Sequence, residues 1–133
     1  MTPQANSFVD AAHRALADAR TILGVNVPHQ AARLAYYGQF HAARALIFER
    51  TSKISKTHKG VDKEFHRLAK AEAALPPSMA AELSAAYRFK ERADYDVGNL
   101  APVTQRHALD AIVTAERFVA TIQQVLTTPP HPT

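Results

Sequence analysis

Ala35-Tyr36-Tyr37-Gly38-Gln39-Phe40-His41-Ala42-Ala43-Arg44-Ala45-Leu46 lies inside a segment with helical spacing from about His29 to Thr51. Leu34, Tyr37, Phe40, Ala43 and Ile47 recur at intervals of three and four residues, one broad stripe of a 3.6-residue period. Alanine fills many of the positions between them, and it has the lowest entropic cost of any residue in a helix. Tyr37, His41 and Arg44 interrupt this plain pattern with polar groups that packing alone does not demand.

The same period continues on both sides. Residues 1 to 6 read as a frayed end, and Ser7 as the N-cap of a first helix carrying Phe8, Val9, Ala12, Leu16, Ala19, Ile22 and Leu23. Gly24 ends that helix, and 25 to 28 form a linker to the second. Thr57 can cap a third helix running to about Ala74, with Val61, Phe65, Leu68 and Ala69 inward. Pro76-Pro77 breaks it, because a proline pushes the residue before it out of helical geometry. A fourth helix reaches about Ala93 with Leu83, Ala86, Tyr87 and Phe89, followed by a loop from Asp94 to Pro102 that contains Gly98-Asn99. Thr104 caps a fifth helix whose apolar face is Ile112, Ala115, Val119, Ile122 and Leu126. Residues 127 to 133, with three prolines, read as disordered. No stretch alternates with strand period. Five amphipathic helices with short joints predict an all-α, five-helix up-and-down bundle forming a single domain, with its core over about residues 7–126.

A length of 133 residues supports one domain with a core of its own. The chain has no cysteine, which rules out a disulfide framework and a thiol nucleophile. No apolar run approaches the roughly 18 residues of a membrane span, and the N-terminus lacks a signal pattern, so a soluble, cytoplasmic protein is expected, with no membrane partner. The net charge is +4, yet residues 50 to 70 alone carry +5: seven cations against Asp62 and Glu64. Such a stripe is either the footprint of phosphate binding or a solvated basic face.

Two further stretches depart from the Ala/Leu pattern: Ser55-Lys56-Thr57-His58-Lys59-Gly60 and Arg92-Ala93-Asp94-Tyr95-Asp96. Together with Ala35–Leu46, in this order and spacing, they resemble the HEPN domain family over roughly residues 7 to 126. The resemblance implies a helical domain that binds RNA or a nucleotide, forms a homodimer, and belongs to a toxin–antitoxin or defence system. A nucleotidyltransferase-type partner protein is implied in the same way. HEPN nucleases use an Arg, four to six intervening residues and a His near the dimer interface. None of the ten arginines here has such a histidine; Arg33 to His41 and Arg50 to His58 both span seven intervening residues. In the branch with a C-terminal Ala-Asp-Tyr motif, an Arg usually stands where this chain has Lys90, so the slot reads Lys90-x4-Tyr95. Lysine lacks the bidentate fork of arginine, and tyrosine, with a reference pKa near ~10, is a poor base at neutral pH.

Tyr37 and His41 share a helix face, and Arg44 extends it. The set can transfer protons or anchor a nucleotide, or it can be hydrogen-bonded core. The Lys56–Lys59 segment, with His58, offers lysines and hydroxyls at a helix start that suits phosphate, or simple capping by Thr57. His58, Asp62 and His66 fall at i, i+4 and i+8, but nothing supplies a further ligand, so neither a metal nor a cofactor is expected. Asp94 and Asp96 are acceptors for arginines across the bundle, or metal holders with Glu91, with loop anchoring the favoured role. The candidate catalytic residues are therefore His41, Lys90 and Tyr95. The candidate RNA- or nucleotide-binding residues are Tyr37, Arg44, Lys56, His58, Lys59, Arg88, Arg92 and Asp94. Two other functions remain open: an active metal-independent endoribonuclease using His41 or His58, and a non-catalytic helical interaction module.

Overall fold

The computed structural model describes residues 1–95 and 102–128. Five helices account for most of them: α1 (Pro3–Gly24), α2 (Pro28–Thr51), α3 (His58–Ala71), α4 (Met79–Tyr95) and α5 (Gln105–Thr127). No strand occurs among the described residues. The all-α, five-helix bundle expected from the periodicity is the observed fold.

Local signals set most of the ends. Thr57 and Thr104 cap α3 and α5 with side-chain oxygens that accept from Gly60 N and His107 N. The N-terminus differs from expectation: α1 starts at Pro3, and its cap is Thr2 rather than Ser7. Proline at the first helical position loses no hydrogen bond, and Thr2 supplies the capping oxygen to Ala5 N at 3.2 Å. Thr2 also donates from N and Oγ1 to Glu49 Oε2 at 3.0 and 2.9 Å, which ties the first turn to the end of α2. Ser7 bonds back to Pro3 O instead, and Ala5 is fully buried. Residues 3–6 are thus helix, capped by Thr2 and with Ala5 in the core, rather than a frayed end. Likewise α3 stops at Ala71, α4 continues two residues past Ala93, and α5 includes Thr127. Asp94 and Tyr95, expected in the following loop, are therefore helical. Asp96, Gly98, Asn99 and the tail 129–133 lie outside the described residues.

The second helix is the axis of the bundle, and every other helix packs on it. It is buried nearly all round, from Ala31 and Tyr36 to Gln39, Phe40, Ala45 and Ile47, rather than along one stripe. Small residues make this possible. At Gly38 an added Cβ would lie 2.6 Å from Leu16 Cδ2, so α1 and α2 approach closely there. The expected α5 face is buried throughout, and Phe118 on it meets Phe65 of α3 at 5.4 Å between ring centroids.

Most neighbouring helices run antiparallel. α1 on α2 pairs Thr2 with Glu49 and Leu16 with Gly38, and α2 on α4 pairs Arg33 with Asp94. The joint from 52 to 57 does something else. Ser52, with left-handed φ of 60°, turns the chain back, and an extended segment returns along α2. Arg44 Nε donates to Ser55 O at 2.9 Å, and Tyr36 Oη bonds His58 Nδ1 at 2.8 Å. α3 then runs alongside α2 in the same direction until Glu72 meets Arg50 at 3.0 Å. This return carries the start of α3 to the middle of the bundle.

Candidate nucleic-acid interface

One face of α2 repeats at i, i+4: Arg33, Tyr37 and His41, with Arg44 three residues on. Opposite it, the α4 turns bearing Tyr87, Lys90, Glu91 and Asp94 share a face. Where the two meet, Lys90 Nζ sits 2.7 Å from Asp94 Oδ2, and Arg33 Nε is 3.7 Å from Asp94 Oδ1. The Tyr37 ring lies under both cations, at 5.6 Å from Arg33 and 5.9 Å from Lys90. Asp94 is therefore an ionic anchor inside the last turn of α4, holding its own helix to α2.

His58 completes this junction from the start of α3. Its ring stacks on Tyr87 with centroids 3.3 Å apart, and Nδ1 is taken by Tyr36. Burial pushes the His58 imidazole below its ordinary pKa with help from Lys90, against the opposing pull of Asp62 and Glu91. Burial chiefly raises Tyr36, so the phenol keeps its proton. A hydrogen bond to Glu91 raises Tyr87 in turn.

His41 lies on the other side of Tyr37, at 6.4 Å between ring centroids, and is edge-on to Phe40 at 5.6 Å. Burial first, then the Arg44 and Arg14 charges, lower its pKa, so the imidazole is neutral near pH 7. Its Nδ1 is buried and meets no hydrogen-bond partner among the described residues. Arg44 is committed to structure: besides its bond to Ser55 O, its guanidinium lies over the Phe8 and Phe40 rings at 4.4 and 5.5 Å.

Lys56 and Lys59 are exposed on either side of His58, and neither joins an ion pair among the described residues. The rest of the basic stripe is dispersed. Arg50 is bidentate to Glu72, and Arg67 pairs with Glu64. Arg50 also stands 17 residues along α2 from Arg33, about 25 Å by helical rise. The His58, Asp62 and His66 series is used internally: Ser84 Oγ donates to Asp62 Oδ1 at 2.8 Å, and His66 Nδ1 donates to Asp62 O.

A family model of the HEPN domain matches residues 5–125, nearly the whole bundle. The chain belongs to the HEPN domain family. The crystal structure of TT1696 from Thermus thermophilus has the same fold, with a TM-score of 0.76 over 93% of this chain and 99% of that one. Sequence identity is 18%, so the likeness is one of fold. No curated protein sequence matches.

Lys90 and Tyr95 are the residues that the resemblance sets in the slot of the HEPN nuclease motif. They do not converge within one protomer. Five helical steps set them roughly 140° apart around the α4 axis. Lys90 faces inward with 13% of its side chain exposed, while Tyr95 is 73% exposed. Asp94 also holds the Lys90 ammonium above its ordinary pKa. Lys90 is therefore a fixed cation and not a proton acceptor. Arg88 is exposed, and Arg92 reaches Pro102 O at 3.5 Å across the opposite side of α4. Sequence reading missed three members of the junction: Arg33, Tyr36 and Tyr87. Arg33 was recoverable, because it stands four residues before Tyr37 just as His41 stands four after. Tyr36 and Tyr87 carry no such mark, since a buried tyrosine and a core aromatic look alike in one sequence.

Proposed function

We propose that this HEPN protein binds RNA or a nucleotide as a homodimer, using the start of α3 and the adjoining face of α2 and α4. The observation that carries the reading is the tie of Ser55 and His58 onto α2 and α4. It fixes exposed Lys56 and Lys59, at a capped helix start, beside an aromatic and cationic junction. Lysines at a helix N-terminus suit phosphate, and the exposed Tyr95 ring offers a base a stacking surface. Pairing of two protomers about their Lys90–Tyr95 segments would cover Tyr95. Membership of the family supports a role in a toxin–antitoxin or defence system, in the cytoplasm beside a nucleotidyltransferase-type partner.

Ribonuclease activity of the isolated chain is expected to be weak or absent, since the Lys90 cation is engaged by Asp94 and tyrosine is a poor base at neutral pH. One observation favours the active endoribonuclease as a second reading: the His41 pKa is lowered by burial and by the Arg44 and Arg14 charges, and its Nδ1 meets no hydrogen-bond partner among the described residues. Titration of a single-stranded RNA at several salt concentrations tests the first reading. Replacing Lys56 and Lys59 together by Glu should weaken binding about tenfold or more. It should also reduce the slope of log K against log salt by about 1.4, at ~0.7 per lost phosphate contact. Unchanged affinity and slope would remove these lysines from the interface. Strong RNA cleavage lost in His41→Ala would establish the second reading instead.

A further inference from the structure

Beside the junction, round the side of α4 that bears Glu82, Ala85 and Phe89, a pocket of about 350 Å³ opens between α2, α4 and α5. Its volume is at the small end of the range for organic ligands. Alanines make the space: Ala32 and Ala35 from α2, Ala85 and Ala86 from α4, and Ala111 from α5. Two aromatic rings, Tyr36 and Phe89, add flat apolar surface. Each of those alanines stands where a larger apolar residue would close the gap.

Gln39 also lines this pocket, and it is the one polar residue of the chain's described core, at 1% exposure. Its Nε2 is buried with no hydrogen-bond partner among the described residues. A buried amide donor left unpaired is costly, and well over nine in ten buried polar groups avoid that state. The charges around the mouth are already engaged. Glu82 takes Arg117 at 3.0 Å, Asp110 takes Arg106 at 3.2 Å, and Arg92 lies over Phe89 and bonds Pro102 O. A charged ligand would find its counter-ions occupied, whereas a neutral one would meet a largely apolar wall in which Gln39, His107 and Thr114 supply the uncharged polar groups.

We propose that this pocket is a binding site for a small, flat, uncharged heteroaromatic molecule whose ring nitrogen or carbonyl accepts a hydrogen bond from Gln39 Nε2. The site is distinct from the proposed RNA-binding face, because its α4 lining residues Glu82, Ala85 and Phe89 stand roughly 80–140° around the helix axis from Lys90 and roughly 120–180° from Asp94. Neither reading requires the other. Tyr36 is common to both: its ring forms pocket wall, while its hydroxyl holds His58.

Two bicyclic probes of nearly equal size separate acceptor recognition from plain apolar filling. 7-Azaindole carries a ring-nitrogen acceptor, and indole offers only a donor. Calorimetric titration of the full chain should give at least tenfold tighter binding for 7-azaindole. Its addition should shift the Gln39 side-chain amide pair in a proton–nitrogen correlation spectrum. Gln39→Leu keeps the side-chain bulk without the donor, and it should bring the two probes to equal affinity. Ala111→Leu, which fills the pocket from α5, should abolish both and serves as the check should Gln39→Leu fail to fold. Equal binding of the two probes by the natural chain would overturn the proposal. So would no binding of either, or affinity that survives Ala111→Leu. RNA affinity should be unaffected by Ala111→Leu, which keeps failure here distinct from failure at the RNA face.

Discussion

His41 and His58 lie on opposite sides of Tyr37 along one junction, and their surroundings differ in kind. Burial lowers the pKa of both rings, so charge state does not distinguish them. Partners do. His58 is held by the Tyr36 hydroxyl at Nδ1 and by Tyr87 across its face, which makes it a pin between three helices. His41 meets Phe40 edge-on and lies tilted beside Tyr37, and its Nδ1 bonds to nothing among the described residues. A histidine with both anchors filled serves the scaffold. One with an unanswered nitrogen retains the capacity to bind or to move a proton.

The contrast breaks most visibly at Tyr36, which touches His58, Tyr37, Phe40 and Tyr87. Tyr36→Ala should cost about 3–5 kcal/mol, the usual range for removing a large buried aromatic ring, read from urea unfolding midpoints. A loss under about 1 kcal/mol would mean that the junction is not a structural centre. His58→Ala should cost less, about 1–2 kcal/mol, from one hydrogen bond and one aromatic stack. His41→Ala should change stability by no more than about 0.5 kcal/mol, since it breaks no hydrogen bond to Nδ1. Equal losses in the two histidine variants would erase the distinction.

The smallest effect is that of pH. The pKa of both imidazoles is lowered in the folded chain, chiefly by burial, so below the ordinary histidine value near ~6.5 the unfolded chain binds more protons. Stability present above that pH should decline as pH falls through it towards the lower folded values. The carboxylates of Glu49, Glu64, Glu72 and Glu116, all lowered by hydrogen bonds, lose their contribution only at more acid pH. Denaturant midpoints at pH 7.5 and 5.5 should therefore differ, and combining His41→Ala with His58→Ala should narrow the gap. A profile flat over that interval would contradict neutral burial of either ring.

Much of the fold was legible because its causes are local. Thr57 and Thr104 cap the helices they were expected to cap, and the α5 stripe from Ile112 to Leu126 is buried as its spacing implied. The error at Ser7 is instructive, because Thr2 has the same capping chemistry and gained the position through Pro3 and a contact with Glu49, 47 residues away. The stripe assigned to α2 was too narrow for a related reason. Alanine and glycine give little hydrophobic signal, yet they allow neighbouring helices to approach from every side. Of the site, Tyr37, Lys90 and Asp94 stand out in the sequence and do come together, whereas Arg44 is tied up in packing and Arg50 and Arg67 in ion pairs.

The sequence by itself determined that five helices form, roughly where each begins, and which family the chain resembles. Capping, periodicity and proline act over a few residues, so neighbours along the chain suffice to set them. Only the tertiary structure decided that the joint after Ser52 doubles back along α2, bringing His58 to Tyr36 and placing Lys56 and Lys59 beside α4. It alone turned Lys90 inward and Tyr95 outward, and left Gln39 Nε2 unpaired against a small pocket. Those outcomes depend on the rotation of each helix about its own axis, where a single residue is 100°, and that rotation is set by what the other helices present.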